Sequence, residues 1–129
     1  MRIARVCWYK YYIAPEILND LGYDTKADIY SAGIILYTLL TGISPFYGKT
    51  YDEVLFKNKR AIVDYPEHAW SNVSIKGKEL VQMMLQADPK KRPSAEECLK
   101  HRWFIAESVN YSTNSLAGAI ENIKKYSLQ

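Results

Sequence analysis

The chain has 129 residues, a length that suits one domain or part of one. Apolar residues make up 48% and charged residues 24%, which excludes an intrinsically disordered chain. The formal charge of +3 is too mild to point to nucleic acid, and we read Lys90-Lys91-Arg92 and Lys124-Lys125 as solvated surface.

Residues 1–13 are rich in aromatic and β-branched side chains without helical spacing, and the pattern predicts extended or irregular chain. Pro15 marks a boundary, because the residue before a proline avoids helical geometry. Glu16-Ile17-Leu18 reads as one helical turn closed by Asn19-Asp20-Leu21-Gly22. Thr25 is the expected cap of the next helix, with Asp28 completing a box-like arrangement. Apolar residues from Ile29 to Leu40 cover nearly every face, so this helix is expected at the centre of the fold. Gly42 is placed to end it in the left-handed conformation, and Ser44-Pro45 to turn the chain.

Thr50-Tyr51-Asp52-Glu53 is a capping box that opens a second helix over about 51–60, with Lys57, Lys59 and Arg60 near its C-terminal dipole. Residues 61–73, containing Pro66, are expected as a long connection. Ser74 caps a third helix whose stripe is Leu80, Val81, Met84 and Leu85. Asp88-Pro89-Lys90-Lys91-Arg92-Pro93 is a loop held by two prolines. Ser94-Ala95-Glu96-Glu97 is another capping box, opening a fourth helix to about His101, with Trp103-Phe104 as an aromatic anchor. Residues 107–114 are polar and read as a linker. Leu116, Ala119, Ile120 and Ile123 then recur at helical spacing and predict an amphipathic tail helix. The expected fold class is all-α: a central buried helix, three surrounding helices and an amphipathic C-terminal tail.

Few side chains here suggest chemistry of their own. Cys7 and Cys98 are read as reduced thiols of an intracellular, cytoplasmic protein. Cys98 and His101, three apart on a predicted helix, could share a face, but two ligands do not make a structural zinc site, and packing is the expected role. His68, between Glu67 and Trp70, is placed in a loop. Asp20 and Asp24 are expected to serve turn and cap geometry. No signal-peptide h-region follows Met1-Arg2-Ile3-Ala4-Arg5. The stretch Ala27–Leu40 is short for a membrane span and is interrupted by Asp28, Ser31 and Thr38. The six glycines are isolated, so there is no glycine-rich phosphate loop.

The order of the short motifs is more informative. Ala14-Pro15-Glu16 is followed by Asp28-Ile29-Tyr30-Ser31-Ala32-Gly33, then Gly42-Ile43-Ser44-Pro45-Phe46, Asp88-Pro89, Arg92-Pro93-Ser94 and His101-Arg102-Trp103-Phe104. This ordered series resembles the C-terminal lobe of eukaryotic serine/threonine protein kinases over roughly residues 4–104. The resemblance implies that residues 1–104 are the C-terminal part of a kinase domain, from the end of the activation segment, and that 105–129 are a linker and an autoinhibitory or junction helix. It implies a Glu16–Arg92 ion pair tying the activation segment to the lobe, and an Asp28 that supports the catalytic loop. It also implies a substrate-facing platform of Trp8, Tyr9, Lys10, Tyr11 and Tyr12.

The rest of the kinase machinery is a glycine-rich loop, a strand lysine with its helix glutamate, a His-Arg-Asp loop and an Asp-Phe-Gly metal ligand. None of these occurs in the 129 residues. The resemblance therefore implies that the parent kinase binds ATP and magnesium elsewhere. By the same resemblance this stretch is expected to hold no catalytic residue, cofactor or metal, to be inactive alone, and to have the N-terminal part of the kinase domain as a partner. One side of the central helix is then expected to be bare.

Two departures stand out. Trp8, Tyr9 and Lys10 occupy the place of the family's Gly-Thr and following small residue, and that threonine helps orient the catalytic aspartate and acceptor hydroxyl. The alternative they favour is a non-catalytic kinase-like scaffold. Tyr30 stands where the family usually has tryptophan. Tyr11-Tyr12-Ile13-Ala14-Pro15-Glu16, Trp70-Ser71-Asn72-Val73-Ser74 and His101-Arg102-Trp103-Phe104 are most similar to calcium-dependent and calmodulin-dependent kinases. Residues 115–126, amphipathic and basic, then suit capture by a calmodulin-like calcium-binding domain. Protein substrates of the parent are the remaining implied partners; nucleic acid and membrane are not expected.

Overall fold

A computed structural model describes residues 13–18, 24–107, 118 and 120–125. Helices are α1 (Pro15–Leu18), α2 (Thr25–Thr41), α3 (Tyr51–Lys59), α4 (Glu67–Trp70), α5 (Ile75–Met84), α6 (Ala95–Leu99) and α7 (Arg102–Glu107), with a 3-10 turn at Pro89–Lys91. Residues 120–125 are also helical, and there is no strand among the described residues. The all-α class is therefore observed. The irregular stretch expected over residues 1–12, the turn at 19–22 and most of the linker lie outside the described residues.

The helix ends follow local chemistry, with some corrections to the sequence reading. The cap of α2 is Asp24 rather than Thr25: its carboxylate accepts the Thr25 N–H at 2.5 Å, and Thr25 is already helical. Aspartate is the stronger acceptor here because the unpaired amides and the positive end of the helix dipole favour an anion. Thr50 caps α3 by accepting the Glu53 N–H at 3.3 Å, while Glu53 reaches past it to the Lys49 N–H at 2.7 Å. Ser74 accepts the Gly77 N–H and Ser94 the Glu97 N–H, both at 3.1 Å, as their capping patterns predict.

The expected connection over 61–73 contains the short helix α4, so His68 is helical and not in a loop. Sequence spacing misses it because four residues are barely one turn; what holds it is Trp70, 4% exposed in the core. The fourth predicted helix is shorter, ending at Leu99, and α7 follows as a separate helix. His101 sits at that break, where Nδ1 accepts the Trp103 N–H at 3.1 Å.

α2 organises the core on two sides. Ala27, Tyr30, Ile34 and Tyr37 pack with Ala14, Phe46, Trp70, Val81 and Leu85. Ile29 faces the other way, against Leu80, Met84 and Cys98. The expected α5 stripe of Leu80, Val81, Met84 and Leu85 is buried, whereas Met83 is exposed. Gly33 lets α5 approach closely: a Cβ there would sit 2.9 Å from Met84 Cβ and from Leu85 Cδ2.

An aromatic cluster closes the opposite end. Tyr37 meets Trp70 edge-on with ring centroids 4.9 Å apart, and Tyr65 lies 5.4 Å from Trp70. The Tyr37 hydroxyl donates to the Asp64 carbonyl at 2.5 Å, which anchors the connection onto α2. Such pairs add about 0.5–1.5 kcal/mol beyond the area they bury.

α2 is not covered all round. Asp28, Ala32 and Ile35, spaced four and three residues apart, form an exposed stripe, and Ile35 is 51% exposed.

Candidate functional site

The most heavily built polar group lies where α1, the start of α2 and the 3-10 turn meet. α1 carries Glu16 directly after Pro15, whose fixed φ suits a first helical turn. The turn is set by Asp88, whose carboxylate accepts the Lys90 N–H at 3.0 Å, and it leaves Arg92 in an extended conformation aimed inward.

There Arg92 NH1 donates to Glu16 Oε1 at 2.5 Å and NH2 to Oε2 at 2.8 Å, a two-pronged pair. Nε donates to the Gln86 carbonyl at 2.7 Å, NH1 also to the Lys26 carbonyl at 3.0 Å, and NH2 also to the Ala87 carbonyl at 3.2 Å. All five guanidinium N–H groups are thereby used. Lys26 answers with its ammonium on the Arg92 carbonyl at 2.5 Å. The guanidinium carbon lies 4.7 Å from the Tyr30 ring centre.

Burial and charge act together on this pair. The Arg92 side chain is fully buried and that of Glu16 is 8% exposed. Burial pushes the Glu16 carboxyl up, but the hydrogen bonds and charge of Arg92 outweigh this and hold it below its ordinary value. The carboxylate is thus the resident form. Burial also raises the Tyr30 phenol strongly, keeping it neutral beside the ion pair. The Tyr30 hydroxyl is buried without a hydrogen-bond partner among the described residues.

The other expected positions fall as follows. Asp28 is exposed in the first turn of α2, on the bare stripe. Trp8, Tyr9, Lys10, Tyr11 and Tyr12 lie outside the described residues. Of 115–126, residues 118 and 120–125 are described; Ile120 and Ile123 are about half exposed, and Lys124 and Lys125 are exposed. Leu116 and Ala119 lie outside the described residues.

Cys98 packs in the core, where burial raises its thiol pKa, as its packing assignment implies. Among the described residues no three His, Cys, Asp or Glu side chains gather to hold a metal, and no helix is long and apolar enough to cross a membrane.

Two kinds of contact were not legible in the sequence. The carbonyls of Lys26, Gln86 and Ala87 complete the Arg92 cage, and any residue type offers a carbonyl. Asn122 bonds to the Leu39 carbonyl at 2.8 Å, from 83 positions away. A lone asparagine on a polar helix face gives no signal of that.

Comparison with known proteins agrees with this arrangement. Residues 2–104 match the family described as "Protein kinase domain". A probable myosin light chain kinase of Dictyostelium discoideum is 36% identical over 124 residues, covering 96% of this chain and 32% of the relative. Calcium-dependent protein kinase 3 of Plasmodium yoelii yoelii is 38% identical over 120 residues, covering 92% of this chain and 22% of the relative. The chain thus spans between about a fifth and a third of the length of these curated relatives. Among solved structures, the autoinhibited serine kinase domain of the giant muscle protein titin is similar with a TM-score of 0.76 and 31% identity, over 81% of this chain and 32% of that one.

Proposed function

The chain belongs to the protein kinase domain family, and on that premise we propose that it is part of a serine/threonine kinase that transfers the γ-phosphoryl group of ATP to protein hydroxyls. The observation that carries this reading is the Glu16–Arg92 pair: it ties Ala14-Pro15-Glu16 to the helical body with two charge-assisted bonds. In this reading residues 1–104 are the C-terminal part of the kinase domain and 105–129 a linker and junction helix. Trp8 to Tyr12 form a substrate-facing platform immediately before the anchored turn, and Asp28 on its exposed stripe supports a catalytic loop contributed by the N-terminal part of the domain.

The residues present do not fit ATP or magnesium. No glycine-rich loop, His-Arg-Asp or Asp-Phe-Gly occurs in the sequence, and the described carboxylates do not converge into a metal site. We assign both ligands to those elements of the parent kinase and the chain itself to an inactive part of it. The purified chain, incubated with radiolabelled ATP, magnesium and a protein acceptor, is expected to transfer no phosphate. Labelling above a no-protein control overturns the assignment.

Calcium regulation is the finer part of the proposal. Relatives named as calcium-dependent kinases support it, as does a tail in which half-exposed Ile120 and Ile123 sit beside Lys124 and Lys125. Calcium-loaded calmodulin, titrated onto the chain, is expected to bind, to release on chelation of calcium, and to fail against Ile120→Asp/Ile123→Asp. Equal binding with and without calcium removes this part. We place the parent in the cytoplasm.

A second reading, a non-catalytic kinase-like scaffold, is favoured by Trp8-Tyr9-Lys10 in place of the family's Gly-Thr pattern. The full-length transcript separates the two: an in-frame His-Arg-Asp and Asp-Phe-Gly upstream restores the enzyme, and their absence favours the scaffold.

A further inference from the structure

Ala61, at a φ of 50°, turns the chain out of α3, and residues 62–66 then run to α4 without regular structure. Exposure alternates along them: Ile62 and Asp64 are exposed and Val63 and Tyr65 half-buried, which is the two-residue period of a strand. Pro66 favours the same extended backbone at Tyr65. No strand pairs with this segment. Among the described residues, the N–H groups of Val63, Asp64 and Tyr65 and the carbonyls of Val63 and Tyr65 make no hydrogen bond. The Asp64 carbonyl accepts the Tyr37 hydroxyl of α2. In an extended chain the flanking residues turn their N–H and C=O groups to the opposite edge, so Val63 and Tyr65 present a free one.

Val63 and Tyr65 also form one wall of a cavity of about 460 Å³, and Gln82, Leu85, Gln86 and Ala87, at the C-terminal end of α5, form the other. That volume lies within the roughly 300–1,000 Å³ of ligand sites. The second wall is held in place, because the Gln86 and Ala87 carbonyls are bound by Arg92 at 2.7 and 3.2 Å. Its polar side chains are carboxamides, which both donate and accept, as pairing with a peptide backbone requires. One charge stands beside the cavity. The Lys78 ammonium lies 5.7 Å from the Tyr65 ring centre, and among the described residues no carboxylate pairs with it.

We propose that this cavity is a docking groove for an extended, acidic segment of a partner protein. The segment's backbone adds as a strand to the free edge at Val63 and Tyr65, its alternate side chains enter the cavity beside Leu85, and an acidic side chain pairs with Lys78. Free main-chain groups on one wall select an extended peptide over a helix, whose own N–H and C=O groups are already used. Lys78 selects the sign of the charge. The groove goes beyond the phosphoryl-transfer reading and stands whether the parent is an enzyme or a scaffold.

Amide NMR on the full chain tests it with an end-capped hexapeptide, Thr-Val-Thr-Val-Thr-Glu. The Val63 and Tyr65 amide signals are expected to shift and saturate as millimolar peptide is added. The same peptide ending in lysine is expected to bind roughly threefold more weakly, the effect of one exposed ion pair, and Lys78→Glu is expected to reverse that preference. Two further versions, N-methylated at every threonine or at every valine, keep the side chains but each blocks one edge of the peptide. One of them is expected to lose binding ~tenfold. The proposal is overturned if Val63 and Tyr65 show no saturable shift, if both N-methylated forms bind like the parent peptide, or if Lys78→Glu leaves the acidic preference unchanged. Shifts that grow with chain concentration in the absence of peptide assign the edge to a second copy and overturn it as well.

Discussion

Replacing Glu16 by glutamine strands a charge that the fold has taken out of water. Arg92 is fully buried, and removing one member of a buried pair typically costs about 3–5 kcal/mol. Three of its five N–H groups keep their carbonyls on Gln86, Lys26 and Ala87, which places Glu16→Gln at the lower end, about 3 kcal/mol. Arg92→Met is expected at the upper end, about 5 kcal/mol, because it leaves the buried carboxylate without its cation and takes a donor from each of three carbonyls. In urea, with a slope of about 2 kcal/mol per M, Glu16→Gln then lowers the unfolding midpoint by about 1.5 M. The double variant Glu16→Leu/Arg92→Met removes both charges, so its loss falls short of the summed single losses by about 2–3 kcal/mol. Additive losses, or a midpoint for Glu16→Gln within about 0.3 M of wild type, would refute the view that the pair is a buried, coupled brace.

Other outcomes follow from the same geometry. Because Arg92 lowers the Glu16 pKa in the folded state, the stabilisation is present above the unfolded value of about 4.3 and is lost as pH falls through the lower folded value; urea midpoints of wild type and Glu16→Gln should differ at pH 7 and converge toward pH 3. Tyr30→Phe removes a buried hydroxyl with no partner among the described residues while leaving the ring beside Arg92. It is expected to stabilise by about 1 kcal/mol and to raise the thermal midpoint by about 3–5 °C; a lower midpoint would mean that the hydroxyl is bonded. Asp24→Ala should cost about 1 kcal/mol and Thr25→Ala less than half of that in chemical denaturation, and the reverse order would return the cap of α2 to Thr25.

Much of the fold was legible because its signals are local. Ser74, Ser94, Thr50 and Gly42 act within one turn of their own positions, and the α5 stripe repeats at helical spacing. The sequence order of Ala14-Pro15-Glu16, Asp28, Asp88-Pro89 and Arg92 carried the family assignment. Errors arose where neighbours compete or where long-range packing rules: Asp24 took the cap from Thr25 by charge, and α4 exists because Trp70 is held in the aromatic cluster with Tyr37 and Tyr65.

By itself, then, the sequence determined the helical class, most helix boundaries and the identities of the two charged residues that meet across 76 positions. Only the tertiary structure decided how Arg92 is satisfied, which face of α2 stays bare and where Asn122 lands. The physical reason is the same in each case. A carbonyl acceptor or an uncovered helix face belongs to no residue type, and it becomes visible only when distant segments share a space.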